Sequence, residues 1–183
     1  MRISVLLAAL VGVVVLSPGA PVPVSPAQVR LVDNTVLVDN TVLVDNTVQA
    51  LSPFDVANPA VGLLDPALLG AVQRAATAAA ADGVAMTITS GWRSAQFQQQ
   101  LLDDAVATYG SLAAARQYVQ TPEGSRHVLG QAVDIGGPQA DQWLMTNGAR
   151  YGLCRTYANE PWHFELTADP AGRCPPMLPS AAG

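Results

Sequence analysis

Only two histidines, His127 and His163, occur in this chain of 183 residues. Each lies in a short segment that also carries a carboxylate. The first segment is Ser125-Arg126-His127-Val128-Leu129-Gly130-Gln131-Ala132-Val133-Asp134, and the second is Glu160-Pro161-Trp162-His163. A catalytic zinc takes three protein ligands, commonly His and carboxylate, and leaves one position for water. The ion drops the pKa of that water to about 7. A carboxylate that is not a ligand must then take and return the proton. His127, Asp134 and His163 would fill the three ligand roles and leave Glu160 as the base. Gly130 allows a tight bend between the first His and the Asp. A fold that uses these residues so must bring two distant segments together. On spacing alone a solvated or core histidine remains the commoner use of a lone His.

The pattern of elements suggests how that could happen. Asp65-Pro66 is a helix start, with Asp as N-cap and Pro at the first helical position. Ala67 to Ala81 follows as an alanine-rich helix ended by Gly83. Val84 to Thr89 alternates with β-branched residues and reads as a strand. Ser94 can cap a helix running to about Tyr109, and a shorter helix is expected from Leu112 to Val119. Gln120 to Arg126 reads as a loop and Gln131 to Ile135 as a short strand. Pro138 to Asn147 reads as a helix stopped by Gly148, and Leu153 to Tyr157 and Trp162 to Leu166 as two more strands. Helices come first and most strands later, so the expected class is α+β with helices packed on a small antiparallel sheet. Half the residues are hydrophobic but only 5% are aromatic, so alanine and small aliphatics must build the core.

The regions outside this domain carry their own signals. Arg2 followed by the apolar run Ile3 to Leu16 and the small residues Ser25-Pro26-Ala27 reads as a signal peptide over residues 1–27. The run is short of the ~20 residues that a spanning helix needs, so cleavage is expected over a retained anchor. A secreted, extracytoplasmic chain without a membrane span follows. Residues 31–48 are three identical copies of Leu-Val-Asp-Asn-Thr-Val. Three copies are few for a solenoid, so residues 28–50 are expected to be a linker, with the docking of one copy as a strand left open. The domain proper is expected over 51–176, with a frayed Pro-rich tail over 177–183. Cys154 and Cys174 form an even pair, which in an oxidising compartment is expected as one disulfide. The net charge of −5 comes with no basic run, which argues against a nucleic-acid partner.

The order of the residues narrows the chemistry. Ser125-x-His127-x-x-Gly130-x-Ala132-x-Asp134 followed by Glu160-x-Trp162-His163 resembles the motif pair of the VanY-type D-alanyl-D-alanine carboxypeptidases. Upstream, Ser90-Gly91-Trp92-Arg93-Ser94 with Gln98 is similar to another segment of that family, with Trp92 where the family has Tyr. Trp143-Leu144 and Asn147 to Leu153 resemble the stretch between its two motifs. The resemblance covers about Pro66 to Leu166. It implies the zinc-peptidase fold shared by hedgehog and D-Ala-D-Ala peptidases. It also implies one Zn2+ per chain on His127, Asp134 and His163, with Glu160 as general base.

Arg93, at the family's arginine position, would polarise the scissile carbonyl, while Ser125 and Gln98 match positions that line the substrate pocket. Trp162 is expected to pack beneath the metal rather than touch substrate. The implied substrate is a peptidoglycan stem peptide ending in D-Ala-D-Ala, cut by a monomer. Cleavage within wall peptides, cleavage of the free dipeptide, and a non-catalytic zinc-bound wall-binding module remain as alternatives. Retention of Glu160 and Arg93 argues against the last, because a binder needs neither base nor oxyanion clamp.

Overall fold

The structure is a computed structural model that describes residues 35–38, 41–44, 50–136 and 138–183. The expected export signal lies outside the described residues. Within the hexapeptide repeat, β1 (Thr35–Val38) and β2 (Thr41–Val44) pair antiparallel with each other, so the expected linker contains a hairpin.

The domain opens with a short helix, α1 (Pro59–Gly62), and then α2 (Pro66–Ala81). The Asp65 carboxylate caps α2 by accepting from the backbone N–H groups of Ala67 and Leu68. Leu68, Ala71, Val72, Ala75, Ala76 and Ala79 form its buried face. Alanine at so many contact positions leaves little bulk between the helix backbone and the sheet beneath it. β3 spans Thr87–Ser90 and starts later than the alternation suggests. Val84 is used instead to close α2, its N–H donating to the Ala79 carbonyl at 2.8 Å.

α3 (Ala95–Tyr109) begins at Ser94, whose hydroxyl accepts from Phe97 N–H. α4 covers only Leu112–Ala115. The helix expected to reach Val119 breaks into turns, and there the Tyr118 ring stacks on Tyr109 with centroids 4.9 Å apart. β4 spans Ala132–Gly136 and α5 spans Pro138–Asn147. The helical path does not stop at Gly148 but tightens into a 3-10 turn over Gly148–Tyr151. It ends at Gly152, whose φ of 87° is the left-handed conformation that a helix exit favours. β5 (Leu153–Arg155) and β6 (His163–Leu166) complete a four-stranded sheet of order β3-β4-β6-β5, antiparallel throughout. The expected α+β class is therefore observed.

One face of the sheet carries Ile88, Val133, Ile135, Leu153 and Phe164 into the core under α2 and α5. Trp143 on α5 donates its indole N–H to the Asp82 carboxylate at 2.7 Å, tying α5 to the end of α2. Among the described residues, no helix is long and apolar enough to cross a membrane.

The C-terminal stretch does not fray. Cys174 is disulfide-bonded to Cys154 on β5. Beyond it, Leu178 pairs with the segment after β5: its N–H donates to Thr156 O at 2.9 Å and its carbonyl accepts from Ala158 N–H at 2.8 Å. Ser180 and Ala181 are buried. Proline-rich sequence limits regular structure but leaves carbonyls and scattered N–H groups free to bond elsewhere, and here they do.

Candidate metal centre

Side chains on successive strand residues point to opposite faces. On β4, Val133 and Ile135 face the core, so Asp134 faces the other way. On β6, Phe164 faces the core, so His163 and Glu165 share the face of Asp134. The β4–β6 register sets Asp134 directly opposite His163, which brings their Cβ atoms to within about 4.5–5.5 Å.

The third member, His127, comes from the turn before β4. Two glycines make that turn possible. Gly130 has φ +68°, and a Cβ there would come within 2.7 Å of Leu63 O. Its own carbonyl accepts from Asp65 N–H at 2.8 Å, pinning the turn to the start of α2. A Cβ at Gly91 would lie 2.1 Å from Ala60 O. That close approach lets Trp92 N–H donate to Ala60 O and directs the Gly91 carbonyl at the His127 ring.

His127 Nε2, His163 Nδ1 and Asp134 Oδ1 converge, with pairwise separations of 3.3, 3.4 and 3.2 Å. Bonds of 2.0–2.1 Å in a tetrahedral zinc site put neighbouring donor atoms roughly 3.3–3.4 Å apart. Each imidazole is also held through its other nitrogen. Gly91 O can only accept, so His127 Nδ1 donates to it at 2.9 Å and Nε2 is the nitrogen with a lone pair to offer. His163 Nε2 donates to the Glu165 carboxylate at 3.1 Å and turns Nδ1 toward the cluster. Such outer partners orient metal-bound histidines and raise their basicity. The donor set therefore fits zinc in atom type, spacing and support.

The electrostatics favour the ligating forms of His127 and Asp134, whereas His163 must release a proton to take a metal. Burial, helped by the Arg93 cation, lowers the pKa of His127 and favours its neutral, ligating form. Burial disfavours charge on Asp134, yet His127 and His163 beside it hold its carboxyl well below the usual range. Burial likewise opposes a charge on His163, but the carboxylates of Asp134 and Glu165 win and raise it to about 9.

Glu160 lies beside the cluster, its Oε2 3.8 Å from His163 Nδ1. Its Oε1 is buried with no hydrogen-bond partner among the described residues. Burial pushes this carboxyl up to about 7 against the pull of His163. These groups line a cleft of ≈ 240 Å³ together with Arg93, Gln98, Ser125, Tyr157 and Trp162. Arg93 donates to the Ser90 hydroxyl at 3.2 Å. Ser125 Oγ donates to Gln98 Oε1 at 3.0 Å, and Gln98 Nε2 donates to Gln120 O at 2.8 Å, so these two side chains chiefly brace the cleft's own wall.

Trp162 departs from expectation. It is 44% exposed on the cleft rim rather than packed under the cluster. It sits in the turn before β6, outside the strand whose alternation sets the face of His163. Glu165 and Tyr157 were not singled out from sequence. Glu165 could have been found by the two-residue step from His163 on one strand, whereas Tyr157, whose ring centroid is 4.9 Å from that of His163, had no such signal.

Residues 62–169, well over half of the chain, match the model of the family described as VanY, D-alanyl-D-alanine carboxypeptidase. The chain belongs to the VanY family. A D-alanyl-D-alanine carboxypeptidase of Enterococcus faecalis is 36% identical over a region covering 48% of this chain and 42% of that protein. The chain thus spans less than half the length of that curated relative. Among solved VanY structures, a vancomycin resistance D,D-pentapeptidase VanY variant from a VanB-type cassette, in complex with Zn(II), superposes with TM-score 0.53 and 34% identity. The match covers 56% of this chain and 71% of that one. VanYB in complex with D-alanine-D-alanine gives TM-score 0.55 and 30% identity over 60% of this chain and 74% of that one.

Proposed function

We propose that this VanY-family chain is an extracytoplasmic zinc D,D-carboxypeptidase. It would remove the terminal D-alanine from peptidoglycan stem peptides. The observation that carries the reading is the convergence of His127 Nε2, Asp134 Oδ1 and His163 Nδ1 at 3.2–3.4 Å, with an unpartnered Glu160 carboxylate oxygen beside them. Secretion finds support in the Cys154–Cys174 disulfide, since such bonds persist in oxidising compartments.

In this reading His127, Asp134 and His163 hold the ion. Bound zinc supplies Lewis acidity, which brings the pKa of a water to about 7. Glu160 takes a proton from the attacking water at its carboxylate and returns it to the departing amine of D-alanine. A buried carboxylate beside the ligand cluster, with one oxygen left over, is placed for both halves of that transfer. Water adds to the carbonyl carbon, the C–N bond breaks, and the products are a shortened stem peptide and free D-alanine. Arg93, on the same cleft, offers its guanidinium to the carbonyl oxygen as negative charge develops there. Ser125 and Gln98 shape the wall against which the peptide end lies.

The test is to incubate the zinc-loaded protein with a stem pentapeptide ending in D-Ala-D-Ala and measure D-alanine release. Glu160→Ala should lose hydrolysis by roughly 10²–10⁴-fold while metal analysis still finds one zinc per chain. Equal activity in the two proteins, or none in the wild type under any metal supplementation, would reject the assignment.

A further inference from the structure

The C-terminal segment after Cys174 lies beyond the residues matched by the family model, yet it reaches the cleft. Ala181 is part of the cleft lining. Three separate anchors hold it there. The Cys154–Cys174 disulfide fixes its root to β5. Leu178 pairs through both backbone groups with Thr156 and Ala158, on either side of Tyr157. Ser180 Oγ donates to Gln117 Oε1 at 2.9 Å, and Gln120 Nε2 donates to the Ala181 carbonyl. Gln120 in turn receives Gln98, which receives Ser125. A continuous hydrogen-bonded wall therefore runs from the docked segment to the residue two positions before His127.

We propose that the segment 177–182 closes the leaving side of the cleft and restricts the enzyme to the last residue of a peptide chain. The inference rests on the carboxypeptidase reading above. An enzyme that trims stem peptides must leave the amino side of the scissile bond open, because the stem continues toward the glycan. The side that can be closed is the one that receives the released residue. At ≈ 240 Å³ the cleft is smaller than the roughly 300–1,000 Å³ of sites that enclose drug-sized ligands. That volume suits one short chain end. Ala181 is the member of the segment that lines the cleft.

Two full-length variants test this. Leu178→Pro removes the N–H that donates to Thr156 O and should release the segment; limited proteolysis between residues 175 and 183 reports whether it has. Ala181→Gly keeps the segment docked and deepens the wall. Each is compared with wild type on three peptides: the stem pentapeptide, the same peptide extended by two residues beyond the final D-alanine, and a version ending in D-Ala-D-Leu. The wild type should cut the pentapeptide and leave the internal D-Ala-D-Ala bond of the extended peptide essentially intact. Leu178→Pro should raise kcat/KM on the extended peptide at least 10-fold, with kcat on the pentapeptide within about threefold. Ala181→Gly should raise the preference for the D-Leu peptide over the pentapeptide about fivefold, chiefly through KM. Wild type cutting the extended peptide as fast as the pentapeptide would overturn the inference. So would a released Leu178→Pro segment with unchanged specificity or, if that variant fails to fold, an unchanged D-Leu preference in Ala181→Gly. A wild type that releases no D-alanine from any peptide sinks the carboxypeptidase reading itself, and this inference with it.

Discussion

Glu165 shows how a residue outside the sequence motif can govern one inside it. Its buried carboxylate accepts from His163 Nε2 and also lies 3.7 Å from Arg126 Nε. The carboxylate fixes which imidazole nitrogen faces Asp134 and His127. Glu165→Gln keeps the shape but removes the charge, so it should weaken zinc binding on the order of 10-fold or more, read by competition with a chromophoric chelator. Affinity equal to wild type would mean that packing alone orients His163. The ligand and base candidates were readable because the chain has only two histidines and the order of the residues around them is specific. Trp162 departs from expectation because it lies just before β6, where strand alternation does not set the direction of a side chain.

At the scale of elements, caps were legible and registers were not. Asp65 and Ser94 start α2 and α3 where the sequence indicates, because a capping side chain acts on N–H groups two or three residues away. Asp65→Ala should cost about 1 kcal/mol, measured as a shift of the denaturation midpoint with the slope unchanged. No shift would imply that the packing of α2 alone fixes its start. The strand stretches 84–89, 131–135, 153–157 and 162–166 were each found to within a few residues. Their pairing order was not, since β4 lies between β3 and β6, far apart in the chain. Nor does local sequence reveal that Gly91 meets Ala60, although that contact aims the carbonyl that holds His127. The helix expected to reach Val119 failed for a similar reason: alanine-rich sequence favours helix, but a tertiary contact between two tyrosines accompanies its end.

For the whole molecule, the disulfide and the segment it anchors tie the edge strand β5 to the cleft. Cys154 stands opposite Glu165 in the β5–β6 pairing, so the bridge lies one strand away from the candidate metal ligands. Replacing both cysteines by serine should lower stability by about 3 kcal/mol, the loop-closure term for a bridge across some twenty residues, in reversible denaturant unfolding of the zinc-loaded protein. A loss below 1 kcal/mol would mean that the backbone pairing of Leu178 anchors the segment by itself. By itself, the sequence determined the α+β class, the helix starts, the cysteine pair and the candidate ligand and base residues, because these depend on residue type and on neighbours a few positions away. Only the tertiary structure decided that Asp134 faces His163, that Glu165 and Gly91 orient the two imidazoles, and that the C-terminal segment walls the cleft. Those depend on strand register and on backbone contacts between distant parts of the chain, which leave no periodic trace in the sequence.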